Sequence, residues 1–261
     1  MNNNYPLIIG NWKLNGDTKE FRSAYVQGLL ELLKKPVEKV NVAICPANVH
    51  IYELSKKLSP FGLNVGSQNV STFDTGAYTG EISATMLKEL GCNLCIIGHS
   101  ERREIFNETN VDCNNKIKRL HEQNILPILC IGESQNEREN NATHNVLSKQ
   151  LSESLVDVKI TAETPLSVAY EPIWAIGSGE SASPKIAQDT HLFIREQLSA
   201  LYGNDTSKLV KIIYGGSVNE NNAKNLLAQN DIDGLLIGGV SLDPVQFNTI
   251  CNIATPTFSV I

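Results

Sequence analysis

Eight short apolar runs recur along this chain, and a polar stretch with helical periodicity follows nearly every one of them. Apolar residues three or four positions apart, as at Val146, Leu147, Leu151 and Leu155, indicate amphipathic helices between the runs. Strands that alternate with helices pair in parallel, and eight such units favour a closed barrel over an open sheet. The sequence therefore predicts an α/β fold, a (β/α)8 barrel with eight parallel strands near 6–10, 40–45, 62–66, 93–97, 126–131, 166–170, 210–214 and 233–237.

The connections between these runs are short, and no stretch has the composition of a linker. Residues 1–261 are therefore predicted to form a single domain. Helix starts carry capping residues and N-terminal prolines at Asp17-Thr18, Ser183-Pro184 and Asp243-Pro244.

The charge balance bears on the class of partner. The formal net charge is −6, from 22 basic and 28 acidic residues, which argues against nucleic-acid binding. A small anionic substrate stays open, because a few cations and backbone N–H groups can hold a phosphate. No apolar run approaches the roughly 18 residues of a transmembrane helix, and the start lacks the pattern of a signal peptide. We expect a cytoplasmic protein without a membrane segment.

Six cysteines are scattered along the chain, which is typical of a reducing compartment. Cys92 and Cys95 have CxxC spacing, but no second such pair accompanies them, and they lie in an apolar run. A pair of buried thiols is therefore favoured over a zinc or redox site. The full set is Cys45, Cys92, Cys95, Cys113, Cys130 and Cys251.

Polar and small residues follow five of the eight predicted strands. Barrel enzymes carry their chemistry at the carboxyl ends of the strands, so residues at these positions are expected to converge. A single site is predicted there, built from Asn11, Lys13, His99, Glu171, Ser217, Gly238 and Gly239.

Glu171 ends an apolar run and is followed by Pro172 and an apolar loop that reaches Gly177 and Gly179. This pattern predicts a general base beside a mobile lid that excludes water. On this segment alone, an acidic residue before an ordinary loop is the competing interpretation.

His99 lies where the fourth predicted strand opens into a loop at 100–103. A neutral imidazole there can donate a hydrogen bond to a substrate oxygen and relay a proton between two oxygens. The competing interpretation is a histidine with only structural contacts. A metal role is disfavoured, because no other histidine or cysteine falls at a corresponding strand end. The remaining histidines lie on helix-like stretches and are expected to be solvated: His50, His121, His144 and His191.

Lys13 and the glycine pairs fit the binding of an anion. Lys13 offers a point charge for a phosphate or a developing oxyanion, although a lone lysine is more often a solvated surface residue. Gly215-Gly216-Ser217 and Gly238-Gly239 allow backbone N–H groups to approach a phosphate closely. Each glycine pair alone indicates only a turn.

The loop from Ser71 to Gly80 is longer than a usual strand-to-helix connection. It is either a flexible excursion or a functional arm. Phe73 and Tyr78 would be costly to leave in water, which favours an arm that docks against another surface.

Four motifs occur in a fixed order: Asn-Trp-Lys at 11–13, Gly-His-Ser-Glu-Arg-Arg at 98–103, Ala-Tyr-Glu-Pro-Ile-Trp-Ala-Ile-Gly at 169–177 and Tyr-Gly-Gly-Ser at 214–217. In these motifs the chain resembles the triosephosphate isomerase family, from about Leu7 to about Asn252. A single motif of this length is a weak signal, because short motifs recur by chance, but the ordered set is highly specific.

The resemblance implies interconversion of D-glyceraldehyde 3-phosphate and dihydroxyacetone phosphate through an enediolate, with no metal or organic cofactor. It implies Glu171 as the base, His99 as the electrophile, and substrate contacts from Asn11 and Lys13. The N–H of Gly177 is expected to close on the phosphate.

The same resemblance implies a homodimer joined through the loop Ser71 to Gly80, with Thr79 buttressing the partner's site. It assigns supporting roles to Glu101, Cys130 and Glu133, and a structural ion pair to Arg195 and Asp231. The chain departs from the family at Ser178 and Glu180, where threonine and lysine are more usual.

Two alternatives remain at this stage. Another phosphate-binding barrel enzyme, such as a pentose-phosphate epimerase, typically carries metal-ligand histidines and acids at strand ends, which are absent here apart from His99 and Glu171. A non-enzymatic binding or adhesion role has no sequence feature in its favour.

Overall fold

The structure, a computed structural model, describes residues 5–32, 39–176 and 181–255. Its strands form a closed barrel in chain order, and β1 closes the sheet by pairing in parallel with β8. This confirms the predicted (β/α)8 barrel. The strands are β1 Leu7–Asn11, β2 Asn41–Cys45, β3 Asn64–Ser67, β4 Leu94–Ile97, β5 Leu126–Ile131, β6 Ser167–Tyr170, β7 Lys211–Tyr214 and β8 Gly234–Ile237.

Helices follow the strands, and several begin at the predicted caps. The Ser183 hydroxyl accepts the N–H of Ile186 at 3.3 Å, and the Asp243 carboxylate accepts that of Val245 at 2.8 Å. The helices are α1 Lys19–Leu32, α2 Ile51–Leu58, α3 Ala84–Glu89, α4 Ser100–Phe106, α5 Asn110–Glu122, α6 Gln135–Glu139, α7 Thr143–Ser154, α8 Pro184–Tyr202, α9 Asn204–Ser207, α10 Ala223–Leu227 and α11 Pro244–Ala254.

Two apolar layers hold the barrel together, because alternate residues of a strand point to opposite faces. One set, which includes Ile8, Val42 and Ile44, packs against the helices. The other set fills the barrel, so that the site can lie only at an end of it: Leu7, Ile9, Ala43, Cys45, Leu94, Ile96, Ile128, Cys130, Ala169, Ile213 and Leu236.

The six cysteines are buried free thiols, as predicted for Cys92 and Cys95. Burial raises the pKa of Cys92 to about 12, so this thiol is inert at neutral pH. The expectation that His191 is solvated is wrong. Its ring is completely buried, it packs edge-on against Tyr170, and burial lowers its pKa to about 4. None of the helices among the described residues is long and apolar enough to cross a membrane.

Candidate active site

A cavity of about 300 Å³ opens where strands β1, β4, β6, β7 and β8 end. The side chains and glycines predicted from the strand ends meet around it. Gly177 lies outside the described residues, as do Gly179, Ser178 and Glu180. The predicted residues that line the cavity are Asn11, Lys13, His99, Glu171, Ser217, Gly238 and Gly239.

Glu171 and His99 form the centre of this cavity. Oε1 of Glu171 lies 3.1 Å from Nε2 of His99, and Oε2 accepts the backbone N–H of Ser100 at 3.1 Å. Only 2% of Glu171 and 5% of His99 are exposed. The carboxylate is therefore largely removed from water, which favours its use as a base.

The protonation state of His99 follows from its contacts. Nδ1 accepts the backbone N–H of Glu101 at 3.2 Å, so Nδ1 carries no proton. The nearest Glu101 carboxylate oxygen lies 3.7 Å from Nδ1, beyond the reach of a hydrogen bond. The proton of the neutral ring therefore lies on Nε2, the nitrogen that is 3.1 Å from Oε1 of Glu171.

The same contact corrects the sequence prediction for residues 100–103. This segment is not a loop, because α4 begins at Ser100 and the His99 ring is its N-cap. His99 thus takes its orientation from the first turn of a helix. A capping histidine is uncommon, so the sequence alone gave no helix signal at this point.

Two glycines fix the position of Glu171. Its N–H donates to the Ile131 carbonyl at 2.8 Å, so the residue continues the β5–β6 pairing. A Cβ on Gly132 would lie 1.7 Å from the Glu171 carbonyl oxygen, and a Cβ on Gly215 would lie 2.8 Å from its Cγ. The sequence prediction placed Gly215 in a phosphate cradle; in the structure its lack of a side chain makes room for the base.

Cys130 is a further neighbour of Glu171. The thiol is completely buried, and burial together with the nearby Glu171 carboxylate raises its pKa well above the usual value. Cys130 is therefore neutral and packs against the base without competing with it for protons.

Lys13 has a left-handed backbone, with φ 52°. A non-glycine residue adopts this conformation only where its surroundings impose it. The Asn11 side chain accepts the Lys13 N–H at 3.0 Å, and Nε2 of Gln68 donates to the Lys13 carbonyl at 2.8 Å. The ammonium group lies 2.6 Å from the Glu101 carboxylate. Gln68, which the sequence analysis missed, therefore fixes the backbone of a predicted substrate contact.

The turn Ile173–Ala175, where the predicted lid begins, is tied to a buried carboxylate. Oε1 of Glu133 accepts hydrogen bonds from the Tyr170 hydroxyl at 3.1 Å and from the Trp174 ring N–H at 3.0 Å. Arg138 approaches the same oxygen at 3.1 Å and stacks over the Trp174 ring. Glu133 thus links strand β6 to the turn Ile173–Ala175.

The residues before and after 177–180 contact the end of β7 and the segment that follows it. The carbonyl of Ala175 accepts the N–H of Ser217 at 3.1 Å and its hydroxyl at 2.8 Å. On the other flank, the N–H of Ala182 donates to the Tyr214 hydroxyl at 3.0 Å. Residues on both sides of 177–180 are therefore tied by hydrogen bonds to Tyr214 and Ser217.

The ends of β7 and β8 offer space for an anion. A Cβ on Gly238 would lie 3.5 Å from Cε of Lys13, and one on Gly239 would meet nothing within 4 Å. A side chain at Gly239 would therefore extend into open space, and this space is available to an anion.

A larger cavity, about 480 Å³, lies at the opposite end of the barrel. It is lined by residues that begin strands, among them Asn41, Asn64 and Lys211, and by none of the predicted site residues. Chemistry in such barrels belongs to the carboxyl ends of the strands, so volume alone does not identify the site.

The loop from Ser71 to Gly80 is exposed from Phe73 onwards. The rings of Phe73 and Tyr78 stack with centroids 3.8 Å apart, yet each residue remains more than 40% exposed. Thr79 is exposed and does not line the cavity of its own chain.

The predicted ion pair of Arg195 and Asp231 is present but long, at 3.8 Å. Arg195 contacts Asp233 more closely, at 2.7 Å. Both carboxylates lie away from the cavity lining, which is consistent with a structural role for this group.

Comparison with known proteins gives a consistent result. The family model described as triosephosphate isomerase matches residues 6–254. A triosephosphate isomerase from Nitrosococcus oceani is 44% identical over 252 residues, covering 95% of this chain and 98% of the relative. One from Alkaliphilus oremlandii is 44% identical over 250 residues, with the same coverage. The crystal structure of triosephosphate isomerase from Bartonella henselae superimposes with a TM-score of 0.85 at 35% identity, covering 95% of this chain and 98% of that one.

Proposed function

The chain belongs to the triosephosphate isomerase family, and we propose that the cavity at the carboxyl ends of its strands interconverts D-glyceraldehyde 3-phosphate and dihydroxyacetone phosphate. The family match favours this activity over the epimerase and binding-protein alternatives. The observation that supports the assignment of the chemistry is the buried pair of Glu171 and neutral His99, 3.1 Å apart.

Glu171 removes the proton from the carbon beside the substrate carbonyl and returns it to the neighbouring carbon. Between these steps the substrate is an enediolate, whose negative charge lies on the two adjacent oxygens. The Nε2–H of His99, which lies 3.1 Å from Oε1 of Glu171 in the structure, donates to these oxygens and relays a proton between them. The reaction needs no metal or organic cofactor.

Asn11 and Lys13 contact the substrate at the end of β1. The Lys13 ammonium stabilises the developing enediolate, and its imposed backbone conformation keeps it at the cavity wall. We assign the phosphate to Ser217, Gly238 and Gly239, with Gly177 completing the cradle as the lid closes. Closure excludes water, which protects the enediolate from loss of phosphate.

Isomerisation of glyceraldehyde 3-phosphate by the purified chain, without added metal, tests the proposal. Glu171→Gln keeps the size of the side chain and removes the base, so kcat should fall by about 10² to 10⁴. Glu163→Gln is the matched control, because that exposed carboxylate lies at the opposite end of the barrel. Wild-type protein without turnover would overturn the activity, and equal rates in wild type and Glu171→Gln would remove Glu171 from its role.

We also propose a homodimer formed through the loop Ser71 to Gly80. Apolar side chains are exposed along the connections that follow the four adjacent strands β1 to β4, including Leu14 at 95% and Ile105 at 66%. Such a patch is typical of a buried interface. Docking of the loop would bury the Phe73 and Tyr78 stack and bring Thr79 to the partner's site.

Sedimentation velocity tests this interface. The wild type should sediment as a dimer and the double variant Phe73→Ser, Tyr78→Ser as a monomer, whereas Leu201→Ser on α8 should leave the dimer intact. A monomeric wild type would overturn the proposal.

We further propose that residues 1–261 act as one domain in the cytoplasm, which the buried free thiols support.

A further inference from the structure

Two asparagines organise the segment between β7 and α10. Nδ2 of Asn222 donates to the Ser217 carbonyl at 2.9 Å, and Oδ1 of Asn222 accepts the N–H of Asn219 at 2.9 Å. The Asn219 side chain in turn accepts the N–H groups of Asn221 at 2.9 Å and of Asn222 at 3.2 Å. The segment is thereby held by side-chain amides before the short helix α10 begins.

These contacts orient peptide groups at the cavity wall. Ser217, Val218 and Asn219 line the cavity, whereas Asn222 does not. A trans peptide points its N–H away from its carbonyl, so the Val218 N–H points away from Asn222 while the Ser217 carbonyl points towards it. Asn222 therefore keeps a carbonyl oxygen, which would repel an anion, turned away from the proposed phosphate cradle.

We propose that Asn222 is a positioning residue for the phosphate end of the substrate. This rests on the proposed function, because it takes Ser217 as part of the phosphate cradle. Asn222 acts through the Ser217–Val218 peptide and touches neither the substrate nor Glu171. Its loss should weaken binding of the phosphate and leave the proton-transfer step at Glu171 and His99 in place.

Asparagine is required here because the position needs a donor and an acceptor on one side chain. Aspartate has the same size but lacks the donor, and its negative charge would face the Ser217 carbonyl. Serine keeps a hydroxyl but is too short to make both contacts. Asn221 is the matched control, since it is the exposed neighbour and takes part in this network through its backbone N–H.

The test compares Asn222→Asp and Asn222→Ser with Asn221→Asp in three assays. These are steady-state turnover of glyceraldehyde 3-phosphate, competitive inhibition by inorganic phosphate, and turnover of D-glyceraldehyde, which lacks the phosphate. We expect KM and the inhibition constant of phosphate to rise about tenfold at position 222, the effect of one lost hydrogen bond. Turnover of D-glyceraldehyde should stay within about twofold of the Asn221→Asp value, because that substrate does not use the cradle.

A general structural defect would instead lower turnover of both substrates equally, and this result would overturn the proposal. So would a KM and a phosphate inhibition constant that match those of Asn221→Asp. The comparison is made on whichever Asn222 variant keeps the wild-type circular dichroism spectrum. Loss of folding in both variants would show that Asn222 acts on stability, and this would also overturn the positioning proposal. Failure of the proposed isomerase activity is distinct, because it would appear in the wild type.

Discussion

Gly215 directly follows β7 and has no side chain, which leaves room for Glu171. Replacement of Gly215 by alanine tests whether this space sets the position of Glu171. A Cβ on Gly215 would lie 2.8 Å from Cγ of Glu171, and ordinary contact needs 3.4–4 Å. The backbone of Gly215 is outside the left-handed region, so alanine is tolerated there without backbone strain. The overlap must be relieved by withdrawal of the Glu171 side chain, by about 0.6–1.2 Å.

The expected effect on catalysis follows from this displacement. A misplacement of about 1 Å costs about 100-fold in rate, or about 2.7 kcal/mol of activation free energy. The effect on stability is smaller. Alanine gains about 0.4–1 kcal/mol by restricting the unfolded chain, and the overlap costs about 1–3 kcal/mol in the folded protein. The variant should therefore fold and bind substrate but turn it over slowly.

The assay measures kcat, KM and the inhibition constant of phosphate for Gly215→Ala beside Gly239→Ala. A Cβ on Gly239 meets no protein atom within 4 Å, so this control adds a methyl group to the phosphate side of the cavity alone. We expect kcat to fall for Gly215→Ala and KM to rise for Gly239→Ala. A kcat for Gly215→Ala within about threefold of wild type would refute the reasoning, because a 1 Å displacement costs far more.

Three further changes test separate parts of the structure. Gln68→Ala removes a 2.8 Å hydrogen bond to the Lys13 carbonyl, so kcat/KM should fall about tenfold in steady-state assays. An unchanged kcat/KM would show that Lys13 keeps its position without this hydrogen bond. Glu108→Gln breaks a buried 2.7 Å pair with Lys116, and the free energy of unfolding in guanidinium chloride should fall by about 3–5 kcal/mol. Burial lowers the pKa of His191 from 6.5 to about 4, so between these values the unfolded chain binds a proton that the folded protein excludes. The contribution of His191 to stability is then complete above pH 6.5 and falls by about 3 kcal/mol towards pH 4. In denaturant unfolding measured across this pH range, His191→Phe should lose less stability than the wild type.

The alternation of apolar runs and helical stretches was enough to predict the barrel, but not the ends of its elements. The run at 6–10 became strand Leu7–Asn11, since the Trp12 N–H still donates to Cys45 beyond the last paired residue. The run at 62–66 became Asn64–Ser67. Such shifts of one or two residues arise because strand ends are set by register against the neighbouring strands, and register is a property of the closed sheet.

Within the site, the residues that converge were predicted, and the contacts that hold them were not. Strand-end positions follow from topology, which is why Asn11, His99 and Glu171 could be expected to meet. Gln68 was missed because the carbonyl that it contacts, that of Lys13, is distant in sequence. Asn222 was missed because its contact with the Ser217 carbonyl depends on the conformation of the loop between them. No spacing rule in the sequence marks a side-chain amide of this kind, since asparagine and glutamine are common in loops for many other reasons.

The charges around the cavity explain why the phosphate assignment falls on glycines. Lys13 is the only cationic side chain among the described residues that line the cavity, and Glu101 lies 2.6 Å from its ammonium. Glu171 adds a negative charge and His99 is neutral, so the side chains supply no net attraction for a dianion. The net charge of −6 opposes it further. Backbone N–H groups must then provide the favourable potential, and Gly238 and Gly239 beside Ser217 let a phosphate come close to them.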